Sequence, residues 1–141
     1  MNKKIMLIII LTTLVLSSCG VLPIGSNSDL SGTAWTLVSL NGNDLIPGSA
    51  MTAFFESGSV SGSASCNHYF GGYKIKGDQI EIEGLGWTEM ACMDPEGIME
   101  QEQQVMSLLS RAVTYSIQGQ VLQIISDTGE VLVFQQVDNL D

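Results

Sequence analysis

Cys66, His68, Cys92 and Asp94 are the residues of this chain with the widest chemical repertoire. A thiolate at Cys66 with the His68 imidazole two residues away would make a nucleophile and its base, because the thiolate attacks and histidine changes charge near neutral pH. The same four side chains hold good donors for zinc. Met90, Met93, Met99 and Met106 carry soft thioether sulfur of the kind that suits copper, while Asp94, Glu96, Glu100 and Glu102 carry hard carboxylate oxygen of the kind that suits calcium. None of the metal sets has the spacing its chemistry needs. Zinc sites favour a Cys-x-x-Cys pair, which is absent; calcium wants a compact loop, and these carboxylates fall in a helical stretch, where capping and solvation account for them. The methionine spacings fit adaptable core packing. Nothing places two carboxylates in a cleft for glycoside hydrolysis, and there is no Gly-x-Ser-x-Gly, phosphate-binding loop or dinucleotide fingerprint.

The third cysteine decides the compartment. Cys19 ends the run Leu16-Ser17-Ser18-Cys19 behind Lys3, Lys4 and an apolar stretch over residues 5–16. A basic start, a short apolar run and small residues at the processing point are the parts of an export signal. The apolar run is shorter than the roughly 20 residues that span a bilayer. Residues 1–18 therefore read as a lipoprotein signal peptide and Cys19 as the lipidation site, joined to diacylglycerol and acylated, palmitate being the expected chain. Each buried methylene adds about 0.8 kcal/mol, and two or more chains make a stable anchor. The mature protein is expected outside the cytoplasm as a membrane-anchored lipoprotein of the cell envelope. Disulfides persist there, and Cys66 and Cys92 are the two cysteines left, so they are expected to pair. Pairing removes both the nucleophile and two of the zinc donors.

Charge narrows the partners. Two of the five basic residues lie in the leader, leaving Lys74, Lys76 and Arg111 against fifteen Asp and Glu. Such a surface repels phosphate, which excludes nucleic acid as a partner and leaves the lipid as the only tether to an anionic membrane. No cofactor is expected.

The elements that must position these side chains are mostly strands. Residues 19–31 mix Gly, Ser, Asn and Pro without period and read as a flexible tether; residues 32–137 form one domain. Within it, β-rich runs over 35–40, 51–56, 60–65, 73–76, 79–83, 112–117, 121–125 and 131–136 alternate with turn residues. The clearest period of two places Ile75, Ile80 and Ile82 inward and Lys74, Lys76, Glu81 and Glu83 outward. One helix is expected from Asp94-Pro95 to about Ser110, with Asp94 as cap and Pro95 in the first turn. Its buried stripe is Ile98, Glu102, Val105 and Leu109. Glu100, Gln101, Gln103 and Gln104 face solvent, and Glu102, on the buried side, needs a partner. The fold class is mainly β: a small antiparallel curved sheet or barrel-like meander with one helix packed on it, a flat α+β sheet being the alternative.

Ser65-Cys66-Asn67-His68-Tyr69-Phe70-Gly71-Gly72-Tyr73, then Trp87-Thr88-Glu89-Met90-Ala91-Cys92 and Met99-Glu100-Gln101-Glu102, resemble the META/HslJ domain family over about residues 32–136. The shared features are a Cys-Asn-x-Tyr-x-Gly-x-Tyr loop, a Thr-x-x-Ala-Cys segment and an acidic helix before a final hairpin ending in Phe134. Ala64-Ser65 departs from the pattern, which often carries glycine there. The resemblance implies a small β-rich domain, often on bacterial envelope lipoproteins, with a link to heat shock and novobiocin resistance and no catalytic mechanism. Asn67 can satisfy backbone groups in a tight loop, and Gly71 and Gly72 can take positive φ. Tyr69, Phe70, Tyr73 and Trp87 either lid the core or, with Asn67 and with Met90 nearby, form the rim of an apolar pocket or a partner-binding patch. Tyr73 and Trp87 are expected in the core, and Tyr69 or Phe70 at the surface. The resulting expectation is a non-enzymatic, lipid-anchored envelope protein, a protein- or ligand-binding module linked to envelope or heat stress, its partner an envelope protein or a small apolar ligand. A carrier of a small apolar ligand is the alternative, followed by a hydrolase using acidic residues.

Overall fold

The computed structural model describes residues 29–137; Cys19, the expected signal peptide and the expected tether up to residue 28 lie outside them. Eight strands form a closed, wholly antiparallel meander: β1 (Thr33–Leu40), β2 (Thr52–Glu56), β3 (Ser59–Ser63), β4 (His68–Lys76), β5 (Gln79–Trp87), β6 (Ala112–Gln118), β7 (Val121–Ser126) and β8 (Val131–Gln136), with α1 (Ile98–Ser110) between β5 and β6. The ring closes where β8 pairs with β1, for example Leu37 with Phe134. Closure removes the free edges that a flat sheet would leave, and the flat alternative is set aside.

The turns carry the backbone signals expected of hairpins. Ser57 and Gly58, at φ 48° and 86°, join β2 to β3 with the two left-handed residues that match strand twist. Inward side chains fill the barrel: Trp35, Phe55, Leu122, Ile124, Leu132 and Phe134 are each no more than 2% exposed. An apolar ligand inside the barrel would have to displace them. Ile80 and Ile82 are buried as expected, while Ile75 is only partly covered.

One seam is incomplete. β5 and β6 share a single described pairing, Gln79 with Thr114, and α1 is the insertion between them. Its apolar stripe, Val105, Met106, Leu108 and Leu109, packs down onto the barrel core, and Ile98 is buried at its first turn. The helix starts a turn later than expected: Gly97, not Asp94, is its N-cap, with no side-chain capping bond, and the Pro95 carbonyl accepts the Ile98 N–H at 3.2 Å. Gln101 is buried rather than solvent-facing. Its Oε1 accepts the Ile46 N–H at 2.7 Å and its Nε2 donates to Ser49 Oγ at 3.0 Å, so it ties the β1–β2 loop to the helix. Order also begins before residue 32: Leu30 is fully buried, and Ser31 Oγ accepts the Ser57 N–H.

An up-and-down ring of eight strands sorts its connections by end. The chain enters and leaves at one end, shared with the β2–β3, β4–β5 and β6–β7 turns. The opposite end holds the β1–β2, β3–β4 and β7–β8 connections and the whole excursion from β5 through α1. All three segments of the family resemblance meet at this far end.

Candidate functional site

Asn67 and Glu102 are the centre of the far end, each 2% exposed. Asn67 Nδ2 donates to Glu102 Oε1 at 2.5 Å and to the Met90 carbonyl at 3.2 Å. Its Oδ1 accepts from Thr88 Oγ1 at 2.7 Å and from the Met90 N–H at 2.8 Å. Four bonds exhaust the amide. Glu102 Oε2 meanwhile accepts the successive backbone N–H groups of Asn67 and Cys66, at 2.9 and 3.2 Å. Two neighbouring amides aimed at one oxygen form an anion-binding concavity, and here the protein's own carboxylate occupies it. This is the partner that Glu102 needs on the buried side of its helix.

The Cys66–Cys92 disulfide, Cα–Cα 5.9 Å, is the covalent member of the same junction. Cys66 is tied through sulfur and Asn67 through hydrogen bonds to the segment over residues 88–92, so the β3–β4 loop, that segment and α1 are held as one body. Zinc ligation or a thiol nucleophile at Cys66 is incompatible with the bonded sulfur. His68 is exposed on the first residue of β4, and its backbone, not its ring, bonds Thr88. Among the described residues no group of three or more His, Cys, Asp or Glu could hold a metal ion.

The four aromatic residues part company. The family's Cys-Asn-x-Tyr stretch is a loop only through Asn67; from His68 onward it is strand, which sends alternate side chains to opposite faces. Tyr69 and Tyr73 point inward, at 3% and 8% exposure. Tyr69 donates its hydroxyl to the Thr52 carbonyl at 2.7 Å, and Tyr73 meets Phe55 edge to face at 5.1 Å. Desolvation by burial pushes the Tyr69 phenol well above its ordinary value. Phe70 faces outward, 62% exposed, with its ring over Gly86. Trp87, expected in the core, is 47% exposed. It pairs with Tyr69 across the ladder, on the same face, but at the strand's end, where the barrel wall stops. Phe70 and Trp87 therefore lie on opposite faces of the sheet and form no common patch. Gly71 and Gly72 are absent from the positive-φ residues. What Gly71 supplies is closeness, since a Cβ there would lie 3.0 Å from the Glu83 carbonyl oxygen. The residue with φ of 88° is Ser65, at the point where the resemblance leads one to expect glycine.

Among the described residues, open grooves run along α1 and the segment that follows it. One of about 800 Å³ lies between the β1–β2 loop and the helix and includes Asp44, Ile46, Glu100 and Gln104. Another, of about 850 Å³, follows the incomplete β5–β6 seam past Lys76, Ile80 and Val113. A third, of about 320 Å³, runs between β5 and α1, with Leu85, Trp87 and Met106 as its apolar wall. Beside it, residues 87–93 present Trp87, Met90 and Met93 to solvent, Met93 at 90% exposure.

The META domain family matches residues 28–139. The chain belongs to the META domain family. Its fold is shared with solved structures. A protein from Burkholderia xenovorans, solved by NMR, aligns with TM-score 0.65 at 27% identity over 78% of this chain and 85% of that one. A second NMR structure aligns with TM-score 0.65 at 22% identity, over 79% and 95%. A crystal structure of a DUF4847 family protein from Bacteroides vulgatus aligns with TM-score 0.57 at 14% identity, over 78% and 96%. No curated protein matches the chain.

In this META domain the junction of Asn67, Glu102 and the disulfide accounts for most of the motif by scaffold alone. What the junction leaves exposed is the surface of the segment it holds. Met90 and Met93 belong to that surface; Met90 is expected there beside Trp87, whereas weighing Met93 only as a core filler or copper ligand passes over it. The signal was available: they flank Cys92 in a stretch with no strand or helix period.

Proposed function

We propose that this META domain is a non-enzymatic binding module, carried on the cell envelope by lipid at Cys19, which recognises a protein partner with residues 87–93 at the far end of the barrel. The observation that carries the reading is the exposure of Trp87, Met90 and Met93 on a segment fastened at Cys92 by the disulfide and at Met90 by Asn67. Apolar side chains that are exposed and yet held in place favour contact, since little ordering entropy is lost on binding and methionine adapts to many shapes. Chain direction supports it: Leu30 enters the barrel at the other end, so a tether to the membrane would turn this segment outward.

A photo-crosslinking residue at Met93, with Asp78 at the near end as control, tests the reading in intact cells. One discrete protein adduct from position 93 and none from 78 is expected. Excess unlabelled protein should suppress it, and the Trp87→Ser/Met90→Ser variant should not. Equal adducts from both positions, or none from 93, would overturn it. The anchor is tested separately by mass spectrometry of the mature N-terminus: an unmodified Cys19 removes it.

A further inference from the structure

The carboxylates of the barrel far outnumber its cations. Among the described residues the cations are Lys74, Lys76 and Arg111. Lys74 and Lys76 end β4, just before the β4–β5 turn at the near end, and Lys74 is taken up by Glu83 at 2.7 Å. Arg111, at the foot of α1, lies 3.5 Å from Asp127 and 3.6 Å from Glu130. Apart from Glu102, nine described carboxylates are left with no ion pair to a described cation; four of them, Glu89, Asp94, Glu96 and Glu100, all exposed, follow one another in a single segment at the far end. They alternate along the chain with Trp87, Met90 and Met93, so one short stretch offers apolar contact edged by four uncompensated carboxylates. Glu102, which follows, is spent inside the junction and adds nothing to this edge.

We infer that the surface formed by residues 87–100 docks a basic amphipathic helix of a polypeptide partner, its apolar face on Trp87, Met90 and Met93 and its lysines or arginines against Glu89, Asp94, Glu96 and Glu100. The inference rests on the binding-module reading and specifies its partner. Charge complementarity selects the occupant: an acidic segment would be repelled, and an anionic membrane surface would be repelled with it. The groove of about 320 Å³ beside Trp87 has room for one or two large apolar side chains of such a helix, the usual way an amphipathic helix is anchored.

The probe is a tryptophan-free helical peptide of leucine and lysine, titrated into the full chain carrying Cys19→Ala at pH 7.5. Only Trp35 and Trp87 can report, and Trp35 is 1% exposed, so a saturable fluorescence change is expected from Trp87 and should vanish in Trp87→Phe. Met90→Ser/Met93→Ser and, separately, Glu89→Gln/Asp94→Asn/Glu96→Gln/Glu100→Gln should each weaken binding at least about tenfold. Glu56→Gln/Glu81→Gln at the near end should change it less than about twofold, and raising salt from 0.05 to 0.5 M should weaken it. A leucine–glutamate peptide that binds as well, a near-end variant that loses as much, or no saturation below millimolar peptide would overturn the inference. A cellular adduct at Met93 that survives the four-carboxylate variant would sink the basic partner while sparing the binding module.

Discussion

Gly62 and Tyr69 face each other across the β3–β4 ladder, and the tyrosine covers the glycine. A Cβ on residue 62 would lie 3.0 Å from the Tyr69 ring and 1.9 Å from the Thr52 carbonyl oxygen, the same oxygen that accepts the Tyr69 hydroxyl. The strand must be bare there for the ring to lie flat and reach its acceptor. Gly62→Ala should therefore cost about 3 kcal/mol, near the upper end of overpacking penalties, measured by denaturant unfolding. A loss below about 1 kcal/mol would mean the two strands separate easily.

Tyr69→Phe leaves the Thr52 carbonyl unmatched and should cost about 1 to 3 kcal/mol at pH 8. Burial raises the phenol above 10.0 in the folded state, so the neutral hydroxyl contributes fully below pH 10. Above it the unfolded chain ionises first and that contribution is lost. The advantage of the parent over Tyr69→Phe should shrink as pH rises past 10, while Tyr115, also raised by desolvation, behaves alike in both. A gap that widens with pH would contradict the burial.

Glu102→Gln should destabilise the domain by about 2 to 3 kcal/mol, because one oxygen becomes an NH₂ facing donors from Cys66, Asn67 or the Asn67 amide. If the loss stays under about 0.5 kcal/mol, the junction is not what holds the helix to the loop.

Opening the Cys66–Cys92 bond, which closes a separation of 26 residues, should lower stability by about 3.5 kcal/mol on the chain-entropy account. Equilibrium unfolding of Cys66→Ala/Cys92→Ala measures it. Because Asn67 still grips Met90, the amide of Met90 should stay protected from hydrogen exchange in that variant.

Ser65→Gly should stabilise the domain by about 1 kcal/mol, since φ of 88° burdens a residue with a Cβ and Ser65 Oγ is buried with no hydrogen-bond partner. A fall in melting temperature would mean the hydroxyl is satisfied after all.

What was legible in the sequence follows from what is periodic. Alternation placed Ile80 and Ile82 inward and Lys74, Lys76, Glu81 and Glu83 outward, and Val131–Gln136 is a strand over the very residues expected. Gln101 failed because its polarity outweighed its position: three residues from Ile98 and four from Val105, it lies on the buried stripe, and the Ile46 N–H and Ser49 hydroxyl that satisfy it come from over fifty residues away. Trp87 failed because size argued for burial when its place at the end of β5 leaves nothing to cover it. The strand through His68 to Gly72 was read as loop because its glycines suggested turns, whereas Gly71 admits a close crossing of β5. Glu102 was legible as a need, and its answer, two backbone amides and an asparagine, required the fold.

The ring of strands also has a seam in time. Every ladder but one joins neighbours along the chain and can form as soon as its second strand emerges; β8 on β1 must wait for both ends. Until the last strand arrives, β1 and β7 each keep an open edge, a template for pairing with another chain. A product truncated before residue 131 is thus a two-edged sheet exposed to self-association, and its yield should fall with concentration rather than with temperature alone.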